Sequence, residues 1–183
     1  VSDDQMDVMV DLGFNVVRLG FSWDLYETAP DSWDETYLDY TMDIVQRLAS
    51  RGIYSFIDMH QDVWSKQYCA GHGFPEWYSW PSNSTEFQRD GKWAFPIPLA
   101  KPTYGPDDAY SEGYGIISNC GDAEGTPLGW AGVYATQAIS NAVQLYYNNA
   151  DGRLDKFVDF WKRTAKAFKD EPYVLAYELV NEP

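Results

Sequence analysis

Basic residues are scarce in this sequence. Thirteen Lys and Arg stand against 28 Asp and Glu, a formal net charge of −15 at pH 7. So acidic a chain has no basic footprint for phosphates, which excludes nucleic acid as a partner. Histidine and cysteine are scarcer still, with His60 and His72, Cys69 and Cys120 as the only examples. No Cys/His spacing among them fits zinc, so neither a metal nor a cofactor is expected. His72, between Gly71 and Gly73, reads as a loop residue. No apolar run approaches the roughly 20 residues of a membrane span. Internal repeats, low-complexity tracts and a glycine-rich phosphate loop after an early strand are also missing.

What is abundant is aromatic. Phe, Trp and Tyr make up 17% of the chain, with 8 Trp and 14 Tyr. Such an excess fits a cleft that stacks on ring-shaped ligands, and it fits a Tyr-rich core equally well. The cysteine count is even, and Asn83-Ser84-Thr85 is a glycosylation sequon. Together these point to a secreted protein or one in an acidic, lysosome- or vacuole-like compartment. A Cys69–Cys120 disulfide there would be worth roughly 4 kcal/mol in the chain-entropy picture; the alternative is two buried thiols. The chain begins at Val1, already inside a helical pattern, and reads as an internal piece of a longer protein.

Along the chain, Asp3 to Leu12 has the apolar spacing of a helix that stops at Gly13. "FNVVRLG", Phe14 to Gly20, is short and β-branched and reads as a strand. Ser32 and Glu35 fit a capping box for a helix with an apolar stripe of Leu38, Met42, Val45, Leu48 and Ala49. A second strand, Ile53 to Met59, runs into "HQDVW". A long insertion at about 61–130 follows, rich in Gly, Pro and aromatics and without sustained period. Ala131 to Tyr147 is partly helical in pattern. Leu154, Phe157, Val158, Trp161, Ala165 and Phe168 make a further helical stripe, and "YVLAYELV" is the third strand.

Strands alternating with helices imply parallel strands. Their apolar character on both faces implies helices on one side and a filled core on the other. In all three, polar residues gather at the C-terminal end: Arg18, then Asp58 and His60, then Asn181 and Glu182. A (β/α)8 TIM barrel has that asymmetry, because its active site lies at the C-terminal mouth. Residues 1–183 therefore read as one partial barrel, about strands 2 to 4 with their helices. A carboxyl at such a mouth has its pKa raised by desolvation, so Glu182 can give a proton to a leaving oxygen. Asn181 beside it can grip a substrate hydroxyl.

The residues "VVRLGFSW", "DMHQDVWSKQYCAGHGFPEW" and "NEP" together resemble glycoside hydrolase family 5, and within it the endoglycoceramidases. These cleave glycan from ceramide in glycosphingolipids. The resemblance runs from Gly13 to Pro183 and implies a retaining glycosidase. It implies Glu182 as general acid/base and Asn181 as partner of the sugar 2-hydroxyl. It implies Arg18 as the arginine that keeps the nucleophile ionised and His60 as lining of the sugar subsite. Asp62 and Asp58 are implied as carboxylates that grip sugar hydroxyls.

The family's nucleophile, a glutamate on strand seven, is not among these residues, so 1–183 alone is expected to be inactive. Glu178 does not replace it. On one strand with Glu182, its Cα would stand roughly 13 Å away at about 3.3 Å per residue, and it reads as structural. Contact with a membrane surface through the lipid substrate is a corollary. Two alternatives stay open: another family 5 glycosidase, glucosylceramidase-like or β-glucan-cleaving, and a non-catalytic glycan- or lipid-binding module.

Overall fold

The computed structural model describes residues 1–65, 71–79, 134 and 137–183. Cys69, Cys120 and Asn83 lie outside them. The chain forms two compact units, one of Val1–His60 with Val158–Pro183, the other of Gln61–Phe157.

In the first unit, α1 (Asp3–Asp11) opens on a complete capping box. Ser2 Oγ accepts from Gln5 N and Gln5 Oε1 accepts from Ser2 N. Gly13 ends it at φ 81°, a conformation that costs glycine little. β1 (Val16–Gly20), β4 (Tyr54–Asp58) and β5 (Val174–Glu178) make one parallel sheet in the order β1-β4-β5. Between β1 and β4 come a short helix α2 (Trp23–Tyr26), the antiparallel pair β2 (Glu27–Ala29) and β3 (Ser32–Trp33), and helix α3 (Glu35–Ala49).

Here the expected cap is corrected. Ser32 is taken up by β3, paired with Ala29. Asp34 caps α3 instead, its Oδ1 accepting from Thr36 N at 2.9 Å and Tyr37 N at 3.2 Å.

One face of the sheet packs on helices. Met6, Ile44, Leu48 and Ile53 form its buried cluster, with Met9, Val17 and Leu19 against it. The stripe of α6 (Arg153–Phe168) centres on Phe157, Phe160, Trp161, Thr164 and Phe168, while Val158, expected inward, is 41% exposed. Phe21, Trp23 and Tyr26 are wholly buried, and Phe21 packs on Tyr26, Tyr37, Phe160 and Phe168 at 5.1–6.0 Å between ring centroids. Pairs of this kind add about 0.5–1.5 kcal/mol each beyond area burial. On the opposite sheet face Val16 and Tyr54 are exposed. That face carries the polar strand ends.

The second unit has an aromatic core of its own. Trp64 stacks on Phe74 at 3.7 Å with planes 9° apart, and Tyr78, Tyr146 and Phe157 close around them. Helices α4 (Glu76–Ser79) and α5 (Gln137–Tyr147) contribute Tyr78 and Tyr146. Gly71 is required by close approach: a Cβ there would stand 2.3 Å from Ser65 O and 2.7 Å from Val63 O. Within each unit, among the described residues, buried rings pack on one another, so much of the aromatic excess is core. None of the described helices is long and apolar enough to cross a membrane.

Candidate active site

Register brings the polar residues together. Gly20 pairs with Asp58, and Asp58 with Glu178. Arg18 lies two residues before Gly20, and side chains alternate along a strand, so Arg18, Asp58 and Glu178 share one face. The pairing continues beyond the strands. Phe21 N donates to Asp58 O, Met59 N to Glu178 O and Asn181 N to Met59 O, which carries Asn181 to the same end. Trp161 Nε1 donates to Leu179 O at 3.0 Å and anchors the segment after β5 on α6.

Arg18 is the hub. Its Nε donates to Glu178 Oε2 at 2.8 Å and its Nη2 to Glu178 Oε1 at 2.8 Å, a two-pronged grip that matches the planar guanidinium. The same Nη2 donates to Asn181 Oδ1 at 2.6 Å and stands 3.2 Å from Asp58 Oδ2. Asp58 Oδ2 also meets His60 Nδ1 at 2.8 Å. That contact fixes the orientation of the ring and turns Nε2 away from Asp58.

The two carboxylates beside Arg18 are shifted in opposite directions. Hydrogen bonds from Arg18 hold Glu178 below the usual carboxylate range. Burial pushes Asp58 up, although the His60 bond and the charge of Arg18 pull it down. Glu178 in turn raises the guanidinium, and Asp58 and Glu182 add to that through charge.

Each expected site residue can now be placed. Asn181 is buried, with its amide oxygen on Arg18. Glu182 is exposed at φ 45°, the left-handed region, immediately before Pro183. A non-glycine residue held there is strained, as residues at functional sites often are. His60 is half-buried against Asp58.

Asp58 lies beneath its neighbours. Its side chain is only 2% exposed and its Oδ2 is shared by Arg18 and His60, so it braces both of them. Arg18 lies on the sheet face away from the helices, and among the described residues its carboxylate partners are Glu178 and Asp58. In the second unit, Asp62 pairs with His72 in an antiparallel bridge, with His72 Nε2 3.5 Å from Asp62 Oδ2. Trp64 lies in the aromatic core, and Gln61 Oε1 accepts from Trp64 N.

Sequence reasoning reads Glu178 as structural but misses its pairing with Arg18. The signal was present: a lone acid in the apolar strand "YVLAYELV" is as anomalous as the lone base in "VVRLG", and each is the other's explanation.

A family model described as "Cellulase (glycosyl hydrolase family 5)" matches residues 2–95. An endoglycoceramidase of Cyanea nozakii is 38% identical over 186 residues, covering 100% of this chain and 33% of that protein. One from Hydra vulgaris is 38% identical, covering 100% and 32%. A glucosylceramidase of Rhizopus delemar is 27% identical over 93% of this chain and 24% of its own length. Among solved structures, endo-glycoceramidase II from Rhodococcus sp. in its five-membered iminocyclitol complex matches with TM-score 0.70 and 26% identity, covering 100% of this chain and 34% of that one. Its ganglioside GM3 complex matches at 0.69 and 25%, covering 100% and 35%. The chain thus spans about a third of the length of the first relatives it matches. The three parallel strands and their helices are part of a (β/α)8 barrel.

Proposed function

Since the chain belongs to glycosyl hydrolase family 5, we propose that the full-length protein is a retaining glycosidase that hydrolyses the bond between glycan and ceramide in glycosphingolipids. The observation that carries the mechanism is the strand end itself. Asn181, its amide oxygen fixed by Arg18, stands directly before a solvent-facing Glu182. The substrate class rests on the two endoglycoceramidases that align over the whole chain.

In the first step a second carboxylate, from outside these residues, attacks the anomeric carbon. Glu182 gives its proton to the departing ceramide oxygen as the C–O bond breaks. In the second step Glu182, now ionised, takes a proton from the water that cleaves the glycosyl–enzyme ester and frees the sugar. Retention needs the two carboxyls about 5–5.5 Å apart. Asn181 is suited to hold the 2-hydroxyl through the amide nitrogen. His60, braced by Asp58, lines the adjoining subsite, and Asp62 offers a further carboxylate to sugar hydroxyls.

The cellular setting belongs to the same proposal: a secreted or acidic-compartment glycoprotein, with a Cys69–Cys120 disulfide and a glycan on Asn83, working on lipid at a membrane surface. The sequon, the even cysteine count and the acidity support it.

The test is Glu182→Gln in the full-length protein. Cleavage of glycosphingolipid should fall by about 1,000-fold or more, because ceramide is a poor leaving group. An activated aryl glycoside, which needs little protonation, should lose far less in its first step. Wild-type cleavage of a β-glucan or of glucosylceramide in place of longer glycosphingolipids would redirect the substrate class within the family. Glycosphingolipid turnover by Glu182→Gln at the wild-type rate would remove the acid/base assignment.

A further inference from the structure

We propose that Glu178 is a positioning residue for the acid/base strand end, acting through Arg18 on Asn181. The proposal rests on the glycosidase reading only for its kinetic readout; the geometry stands apart from it.

The argument begins with proton count. A guanidinium has one Nε–H and two hydrogens on each terminal nitrogen. Glu178 takes the Nε–H and one hydrogen of Nη2, both at 2.8 Å. This side-on grip fixes the guanidinium in plane and rotation, and it leaves Nη2 its second hydrogen. That hydrogen goes to Asn181 Oδ1 at 2.6 Å. Committing the amide oxygen decides which way round the amide stands and leaves the NH2 of Asn181 as its donor end. Had Arg18 been gripped by Asp58 alone, at 3.2 Å through one nitrogen, its plane would be free to rotate.

Position supports the same view. Glu178 is the last residue of β5 and Asn181 lies three residues on, past a segment anchored by Trp161 and by Met59 O. Backbone bonds fix where that segment runs but not how the Asn181 side chain is turned. The carboxylate of one strand thus sets, through an arginine two strands away, the amide that follows it in sequence.

Glu178→Gln keeps the shape but turns an acceptor oxygen into an NH2 group, which meets an Arg N–H with another N–H and breaks one prong. Loss of a residue that orients a site group costs about 10–100-fold in activity. We expect kcat of the full-length enzyme on glycosphingolipid to fall by that factor, with KM within about 3-fold.

The deciding measurement is the cycle with Asn181→Ala. Groups acting as one unit are non-additive, so Glu178→Gln/Asn181→Ala should match Asn181→Ala alone within about 3-fold. Losses that multiply, or Glu178→Gln at the wild-type rate, overturn the proposal. If Glu178→Gln does not fold, Glu178→Asp, which withdraws the carboxylate by one methylene, enters the same cycle. A crystal structure of whichever variant folds reads the claim without turnover: Arg18 should leave Asn181 Oδ1, and an unchanged Arg18–Asn181 bond overturns it. A wild-type protein inert on every glycoside would end the glycosidase reading alone, with the positioning claim then decided by that structure.

Discussion

Two arginine-centred clusters occupy the same unit and differ in what surrounds their acids. On the helix side, Arg47 holds Asp3 and Asp43, and Arg51 holds Asp3 and Asp7. All three of those acids are more than half exposed. At the strand ends, Arg18 holds Glu178, Asp58 and Asn181, and Asp58 is almost wholly buried. The contact distances are alike, so distance does not distinguish them. What differs is the cost of losing the base. An exposed acid without its partner returns to water, whereas a buried one does not.

The largest effect should therefore follow Arg18→Met. The variant leaves the buried Asp58 with His60 as its remaining hydrogen-bond partner, and leaving a buried carboxylate short of a partner costs about 1–3 kcal/mol. It also releases Asn181, so turnover of the full-length enzyme should fall by about 100-fold or more. Denaturant unfolding and steady-state kinetics on one preparation measure both. If Arg18→Met proved as stable as Arg51→Met, the contrast between the clusters would be gone.

His60 and Arg18 were legible as site residues because charge at the end of an apolar strand is conspicuous. Asn181 and Glu182 were legible because a polar pair before a proline ends a strand abruptly. The partner of Arg18 was not. Reading along the chain measures Glu178 only against Glu182, four residues away, while its neighbour in space is 160 residues off. The meeting depends on register, and β5 is irregular against β4 between Ser55 and Phe56, which no local pattern announces. The helix-capping error has a similar cause. Ser32 and Asp34 are both good caps, and the choice fell to a tertiary event, the pairing of β3 with β2. The long helices were legible because 3.6-residue periodicity is local, whereas the one-turn helices α2 and α4 are too short to show a period.

The pH dependence of stability sharpens the contrast within the inner cluster. The pKa of Glu178 is lowered in the folded state, so its contribution is present above the unfolded value, near 4.3. It is lost as pH falls through the folded one. Asp58 is raised, so between its unfolded and folded values the folded chain binds the extra proton, and stability falls as pH rises through that window. Glu178→Gln should flatten the loss of stability on acidification below about pH 4.5, and Asp58→Asn should remove the opposing slope just above the ordinary Asp value. Both are read as Tm against pH, from pH 3 to 7. Slopes of the same sign for the two variants would mean that burial does not separate these carboxylates.

The smallest effect should come from the helix-side cluster, and its smallness is the informative part. By bond count that cluster is the richer one: Arg47 donates to Asp3, Asp43 and Val1 O, and Arg51 to Asp7 and to Arg47 O. Such a network looks like a clamp between α1 and α3. Yet the clamp already exists in apolar form, because Met6 of α1 packs on Ile44 and Leu48 of α3 beneath it. The charged groups above lie in water, where ordering long side chains offsets most of the Coulomb gain. Arg47→Ala should shift Tm by no more than about 2 °C at low ionic strength. That shift should vanish near 1 M salt, where the screening length is about 3 Å. Met6→Ala, which opens a cavity under the same helix pair, should lower Tm several-fold more and do so at any ionic strength. A salt-insensitive loss from Arg47→Ala equal to that of Met6→Ala would show that ion pairs, not the buried cluster, hold α1 in place, and would put the two arginine clusters on an equal footing.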